Sequence, residues 1–143
     1  MGELIYLEAL RRGRKEQRKC LQKGRSPYLP VLDEILTQQN ILTEQNLGLI
    51  DIPLEHVVGT STRGRTYAFA ANFMPILDEQ SEFGCKWEAL ANAQLSEGIR
   101  DPIKVYEFMN RFYVIEGNKR VSVLKFFDAD KILSTTNAHL TNV

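Results

Sequence analysis

Apolar residues recur at helical spacing in four stretches of this chain. Gly24 follows the first stretch, as glycine often follows the last helical turn, and the second stretch begins at Pro30, which fits a first turn. The apolar stripe of the first stretch is thin, which predicts a helix that packs on another element instead of forming the core. The four predicted helices span residues 3–22, 30–39, 67–77 and 83–95.

Alternation of apolar and polar residues replaces the helical spacing after residue 100. Two short apolar segments on either side of an Asn110-Arg111 turn predict a β-hairpin. A strongly apolar helix is predicted next, over residues 121–127, and the threonine-rich tail from Lys131 is typical of a strand. Upstream, residues 47–53 predict a short buried strand, and the small, polar and basic residues 59–65 predict a loop.

Length and composition indicate one domain with a hydrophobic core. The chain has 143 residues, 43% of them hydrophobic, so intrinsic disorder is not expected. Its 18 basic and 18 acidic side chains cancel, and no global field steers it toward nucleic acid or a membrane. Two cysteines are too few for a disulfide framework, which favours a reduced, cytoplasmic setting. No apolar run is long enough for a membrane span, and a signal peptide is not expected because Glu3 and Glu8 interrupt the first apolar stretch.

The balanced charge conceals a basic N-terminal segment. Residues 1–25 hold eight basic and three acidic side chains, so this segment carries +5 and the rest of the chain carries −5. One hypothesis is DNA binding, because lysine and arginine neutralise backbone phosphates. A solvated helix or a homodimer contact is favoured, because residues 11–25 contain no aromatic side chain to stack on bases. The candidate nucleic-acid residues are Arg11, Arg12, Arg14, Lys15, Arg18 and Lys19.

The segment between the predicted hairpin and the helix after it carries the most chemical information. Gly117 lies where the chain must turn sharply, and a residue without Cβ lets a ligand approach the backbone. The amides that follow lie at a helix N-terminus, where they lack intrahelical partners and carry partial positive charge. Together with the cations of Lys119 and Arg120 they form a receptor suited to a phosphate. The alternative is a purely structural glycine turn whose Lys and Arg are solvated.

A second basic segment, residues 60–65, contains hydroxyl side chains, a glycine and the arginines Arg63 and Arg65. It is interpreted either as a clamp for phosphate oxygens or as a flexible surface loop. Both basic segments follow predicted strands. If those strands are neighbours, both segments lie at the same end of the sheet, where α/β proteins bind ligands.

Three segments resemble, in the same order, the N-terminal domains of ParB proteins. Residues 96–105 (SEGIRDPIKV) look like the helix end, glycine and "Q-P-I-x-V" strand of that family. Residues 112–125 (FYVIEGNKRVSVLK) resemble its "Y-x-L-I-x-G-E-R-R-x-R-A-x-K" segment without gaps, and residues 50–57 (IDIPLEHV) are similar to its opening "I-P-L-x-x-I" strand. The resemblance covers residues 48–135. It implies an α+β domain of the ParB/sulfiredoxin-like fold, with a small mixed sheet, packed helices and a helical N-terminal extension.

The resemblance also implies roles for individual residues. In ParB proteins the matching "G-E-R-R" turn binds nucleotide phosphates. The residues in that position here are Gly117, Asn118, Lys119 and Arg120. The family's loop after the first strand supplies an arginine, for which Arg63 and Arg65 are the candidates. The later "E-N-x-x-R" segment and a helix-turn-helix part have no counterpart, which argues against chromosome partitioning. In sulfiredoxins the turn reads "G-C-H-R", and Asn118 in the place of the catalytic cysteine excludes that activity.

The expected function is a regulatory module, of bacterial type, that binds a nucleotide or another phosphorylated ligand at the glycine turn. DNA binding in a transcriptional or partition-like role is the first alternative. The second is a phosphotransferase or NTPase that uses a nucleoside triphosphate with Mg²⁺, with Glu116 as the candidate catalytic residue. No residue set indicates a resident metal site. The expected division is a helical extension over residues 1–45 and a ParB-like domain over residues 46–143, followed by a solute-binding-like domain in the full-length protein.

Overall fold

A five-stranded mixed sheet lies at the centre of the structure, a computed structural model that describes residues 2–36 and 41–141. The strands are β1 (Ile41–Pro53), β2 (Val57–Thr60), β3 (Ile103–Phe108), β4 (Arg111–Glu116) and β5 (Lys131–Thr141). Their order across the sheet is β1-β5-β3-β4-β2. The β2–β4 and β3–β5 pairs are parallel, whereas the β1–β5 and β3–β4 pairs are antiparallel.

Helices of two kinds accompany this sheet. The α-helices in the described residues are α1 (Gly2–Gln22), α2 (Leu32–Leu36), α3 (Glu82–Ser96) and α4 (Asn118–Phe126). Two 3₁₀ helices, Leu54–His56 and Arg63–Ala68, lie on either side of β2 in the sequence. None of the helices in this part of the chain is both long enough and apolar enough to cross a membrane.

Helix α4 connects the sheet to the two longest helices. Its Val121 packs in the main core with Ile103 of β3, and both side chains are fully buried. Its Val123 packs in a second cluster with Tyr6 of α1 and Trp87 of α3. Helix α1 therefore packs on α3 and α4, as its thin apolar stripe predicts. Helix α2 packs separately, in a third cluster with side chains of β3 and β4.

The α+β fold, with a mixed sheet and packed helices, is confirmed. Helices α1 and α3 form where helical spacing predicts them, and α4 and β5 match the predicted last helix and tail strand. Strands β3 and β4 form the predicted hairpin. Its turn lies at Met109 and Asn110, one residue earlier than predicted, and both have the positive φ that a two-residue hairpin turn requires.

The strand predicted as short and buried at residues 47–53 is part of a longer and mostly exposed strand. β1 has 13 residues and pairs along its length with β5. Leu47 and Leu49 are exposed, and Ile52 is the buried side chain of the predicted stretch. The prediction of burial was wrong because β1 lies at the edge of the sheet, a position that apolar composition alone does not distinguish from a central one.

The prediction of a helix over residues 67–77 is wrong. After Ala68 the chain forms an isolated bridge between Phe69 and Pro75, and Phe73 adopts a left-handed φ of 70°. The Asn72 side chain accepts a hydrogen bond from the Met74 amide at 3.0 Å. Such local side-chain bonds compete with helical ones, and a proline at position 75 cannot donate a helical hydrogen bond.

Two further boundaries differ from the prediction. Most of the predicted loop at residues 59–65 forms regular secondary structure, because Gly59 and Thr60 end β2 and a 3₁₀ helix begins at Arg63. Helix α2 is shorter than the helix predicted over residues 30–39, and residues 37–39 lie outside the described part of the chain. The expected division at residue 45 falls within β1 and stays a prediction.

Strands β2 and β4 are parallel neighbours, so their carboxyl ends meet at the same edge of the sheet. β2 ends at Thr60 and leads into the 3₁₀ helix Arg63–Ala68. β4 ends at Glu116 and leads through Gly117 into α4. The two basic segments singled out in the sequence therefore lie at one end of the sheet.

Candidate functional site

A cavity of about 570 Å³ lies at the carboxyl ends of β2 and β4. The 3₁₀ helix Arg63–Ala68, one side of α3 and the segment joining β4 to α4 line it. Its charged and polar side chains are Arg65, Glu82, Lys86, Glu116, Asn118, Lys119 and Arg120. Its apolar side chains include Phe69, Leu77, Phe83, Leu90 and Ile115. A cavity of this size suits a small molecule with both polar and apolar parts.

Gly117 forms the sharp turn between β4 and α4. Its φ of 113° is left-handed, and a Cβ at this position would overlap the side chain of Ile103. The Val121 amide is the first to bond back, to the Gly117 carbonyl at 3.0 Å. The three amides before it, at positions 118–120, therefore have no acceptor within the helix and belong to a helix N-terminus whose residues line the cavity.

Asn118 ties this turn to the end of β2. Its side chain is only 8% exposed, and its Nδ2 donates to Oγ1 of Thr60 at 3.3 Å. The Thr60 hydroxyl in turn donates to the carbonyl of Val114 at 3.2 Å. Oδ1 of Asn118 is buried without a hydrogen-bond partner. These hydrogen bonds join the first turn of α4 to both parallel strands and leave the Oδ1 acceptor of Asn118 unsatisfied.

Three cations from three elements lie together at the cavity: Arg65 of the 3₁₀ helix, Lys86 of α3 and Lys119 of α4. Partial burial lowers the pKa of Lys119, and the positive charges of Lys86 and Arg65 lower it further, whereas Glu82 opposes them. Lys86 forms an ion pair with Glu82 at 2.8 Å. With Arg120, four cationic side chains and two carboxylates, those of Glu82 and Glu116, line the cavity, so its lining carries a net positive charge.

The two candidate arginines of the second basic segment have different surroundings. Arg65 lines the cavity. Arg63 does not; it forms an ion pair with Glu34 of α2, and its Nη1 donates to the hydroxyl of Tyr67 at 3.1 Å. Arg65 is therefore the arginine that the structure brings to the glycine turn.

The two ends of the 116–120 segment have partners of their own. Nη1 of Arg120 donates to the carbonyls of Asp101 at 3.2 Å and Pro102 at 2.8 Å, so this guanidinium holds the loop between α3 and β3 while it lines the cavity. The Glu116 carboxylate is 3.5 Å from Nζ of Lys104 and largely exposed. A catalytic role for Glu116 stays a prediction.

The basic residues of α1 lie on its exposed side, and none of them lines the cavity. Arg11 and Arg12 both donate to Glu8, and these hydrogen bonds lower the pKa of that carboxyl to about 2. The guanidinium of Arg12 also lies 4.5 Å from the centre of the Phe126 ring. The exposed remainder comprises Arg14, Lys15, Arg18 and Lys19. DNA binding by this set stays a prediction.

Sequence reasoning missed the contribution of α3 to the cavity. Glu82, Lys86 and Leu90 are four residues apart, so they share one side of the helix and face the glycine turn across the cavity. Phe83 contributes an aromatic ring, with Nζ of Lys119 5.5 Å from its centre. The available signal was a charged pair at i, i+4 beside an aromatic residue, which is also common on solvated helix surfaces.

Comparisons with known proteins give similarity at the level of structure. No family model matches this chain, and no curated protein matches its sequence. Among solved structures, the crystal structure of sulfiredoxin from Arabidopsis thaliana is similar, with 18% sequence identity and a TM-score of 0.41. The matched region covers 62% of this chain and 82% of the sulfiredoxin chain.

Proposed function

We propose that this protein is a regulatory module that binds the phosphate groups of a nucleotide, or of another phosphorylated small molecule, at the cavity beside Gly117. The observation that supports this most strongly is the convergence of Arg65, Lys86 and Lys119 on the N-terminus of α4. Helix N-termini bind anions through free amides and the helix dipole, and flanking cations strengthen that binding.

The number of cations favours a ligand with more than one phosphate group. The amides at positions 118–120 and Lys119 suffice for a single phosphate. Lys86 and Arg65 enter from two other elements, and both lower the pKa of Lys119 through their charge. A polyanion that contacts all three cations would relieve this repulsion. The apolar wall formed by Phe83, Leu90 and Ile115 would accommodate the uncharged part of such a ligand.

The sequence motifs support the same proposal. We infer that the chain is related to the ParB N-terminal and sulfiredoxin-like domains, because three ordered segments and the glycine turn resemble theirs, with Asn118 in the place of the sulfiredoxin cysteine. In the fold, β2 and β4 are parallel neighbours, so the second basic segment and the glycine turn lie at the same end of the sheet. The amide of Asn118 holds the turn to Thr60 and cannot act as a thiol nucleophile.

The proposal is tested by titrating the four ribonucleoside triphosphates and inorganic pyrophosphate, with and without Mg²⁺, into the wild type and an Arg65→Gln/Lys119→Gln variant by calorimetry. We expect a triphosphate to bind the wild type and the variant to bind it at least about tenfold more weakly, because each lost charged hydrogen bond contributes about 1.5–3 kcal/mol. Both glutamines keep much of the side-chain length, so the cavity shape is retained.

An Arg63→Gln/Lys131→Gln variant is the matched control. It loses the same two positive charges, but neither residue lines the cavity: Arg63 pairs with Glu34 and Lys131 with Asp51. We expect its affinity to stay within about twofold of the wild type, because exposed charges at a distance are screened. Equal losses in both variants, or no binding to the wild type at millimolar concentration, would contradict the proposed site.

Ligand binding is also expected to take up protons in alkaline solution. The pKa of Lys119 is lowered from its ordinary 10.5, first by burial and then by the charges of Lys86 and Arg65. A bound polyanion favours the charged lysine and raises this pKa again. Affinity is therefore full below the lowered pKa and falls as pH rises through it. Calorimetry in two buffers of different ionisation enthalpy measures the uptake, which Lys119→Gln should abolish; an unchanged uptake in that variant would assign it to another group.

A further inference from the structure

Helix α1 presents one side to the rest of the protein and leaves the other uncovered. Tyr6 and Ala9 are fully buried, and Gly13 lies so close to the Pro75 carbonyl that a Cβ there would overlap it. The opposite side carries the exposed residues that we call the α1 outer face. These are Leu4, Leu7, Arg11, Arg14, Lys15, Arg18 and Leu21.

The α1 outer face combines strong positive charge with exposed apolar side chains. Leu4 and Leu21 are 73% and 63% exposed, near opposite ends of the helix, and the cations lie between them. At 1.5 Å per residue these two leucines are about 25 Å apart. Among the described acids of α1, Glu8 binds Arg11 and Arg12, and Glu16 accepts from the Cys20 thiol at 3.7 Å, so the positive charge of the face comes mainly from Arg14, Lys15 and Arg18. The face is thus an extended cationic strip with leucines at both ends.

We propose that the α1 outer face docks on the surface of a lipid bilayer that contains anionic headgroups. A planar array of phosphates meets the arginines and lysines along the whole strip, because the helix lies flat against the body of the protein. The same surface takes the leucine side chains into its acyl boundary and so removes them from water. Arginine and lysine stems reach along apolar surface while their charged ends contact the headgroups.

Charge complementarity and the exposed leucines together favour an anionic bilayer over a nucleic acid or a second copy of the chain. A nucleic acid would satisfy Lys15 and Arg18 but would leave Leu4 and Leu21 in water. A second copy packed through the same face would bring the central cations of two helices together. The proposal does not rest on the phosphate site at the cavity, because none of these residues lines it.

Sedimentation of the full chain with vesicles tests the proposal. We expect binding to vesicles of phosphatidylglycerol and phosphatidylcholine, and none to phosphatidylcholine alone. Lys15→Glu/Arg18→Glu should weaken binding at least about tenfold, because each charge near an anionic surface contributes. The matched control is Lys104→Glu/Lys131→Glu, which changes the net charge equally at positions off α1 and should bind far more tightly than the α1 variant. Circular dichroism checks that every variant is folded.

A Leu4→Ser/Leu21→Ser variant separates the possible occupants. We expect it to bind anionic vesicles several-fold more weakly at unchanged net charge, because the apolar contribution is lost. A duplex DNA titration of the same variants forms the second arm. DNA binding without vesicle binding, or vesicle binding that the leucine variant leaves unchanged, would overturn the proposal. So would a dimer of the free protein that the leucine variant dissociates.

Discussion

Replacement of Gly117 by alanine is expected to lower the free energy of unfolding by about 3 kcal/mol. Part of this cost is conformational, because the left-handed φ of 113° is accessible to glycine and strained for alanine. The larger part is steric. The new Cβ would overlap the side chain of Ile103, which is fully buried in the main core and cannot move aside without shifting β3.

Two other glycines separate these contributions. Gly98 also has a positive φ, of 84°, but a Cβ there would meet no atom within 4 Å, so Gly98→Ala should cost about 1 kcal/mol. Gly64 has neither a left-handed φ nor a close neighbour, and its alanine variant should lie within about 0.5 kcal/mol of the wild type. Urea unfolding of the three variants gives the comparison. A Gly117→Ala cost equal to that of Gly98→Ala would show that the core absorbs the methyl group.

The glycine turn could be predicted from the sequence because its determinants are local. Alternating residues predict β3 and β4, apolar spacing predicts α4, and a glycine between a strand and a helix predicts the turn. The structure adds the reason why glycine is required there, which is Ile103 of the neighbouring strand. That contact depends on the antiparallel pairing of β3 with β4, and no single segment contains it.

The errors arose where partners distant in sequence determine the structure. Polar residues such as Gln45 and Asn46 join β1 because β5 supplies hydrogen-bond partners along its length. Residues 67–77 carry enough apolar side chains for a helix, but Phe69 and Phe73 are buried in the core from an irregular segment. The apolar composition fits their burial, whereas the helical backbone that it predicts is wrong.

The sequence predicted only part of the candidate site, because partners distant in sequence determine the rest of it. The glycine turn and Arg65 share the cavity because β2 and β4 are parallel neighbours. The choice between Arg65 and Arg63 depends on the 3₁₀ helix, in which residues two apart are rotated by about 240° and so have different surroundings. Lys86 comes from α3, and only the packing of α3 beside α4 brings it to Lys119.

Replacement of Trp87 by alanine is expected to cost about 4 kcal/mol, the largest effect of any single change considered. Trp87 is fully buried, and its Nε1 donates to the hydroxyl of Ser122 in α4 at 2.8 Å. Its ring also makes edge contacts with Tyr6 of α1 at 5.4 Å and Phe126 of α4 at 5.7 Å between centroids. One side chain thus joins α1, α3 and α4, and its removal leaves a cavity where these helices meet.

Conservative variants identify what Trp87 contributes. Trp87→Phe keeps an aromatic ring and should cost about 2 kcal/mol, whereas Ser122→Ala removes only the hydrogen-bond acceptor and should cost about 1 kcal/mol. Thermal unfolding followed by circular dichroism, with amide exchange of α1 and of the sheet, provides the measurement. Because α1 shares this cluster with α3 and α4, we expect its amides to open with those of the sheet in one transition, at a lower temperature in Trp87→Ala. Separate, earlier opening of α1 in the wild type would instead show that it is an independent extension and that Trp87 stabilises only the contact between α3 and α4.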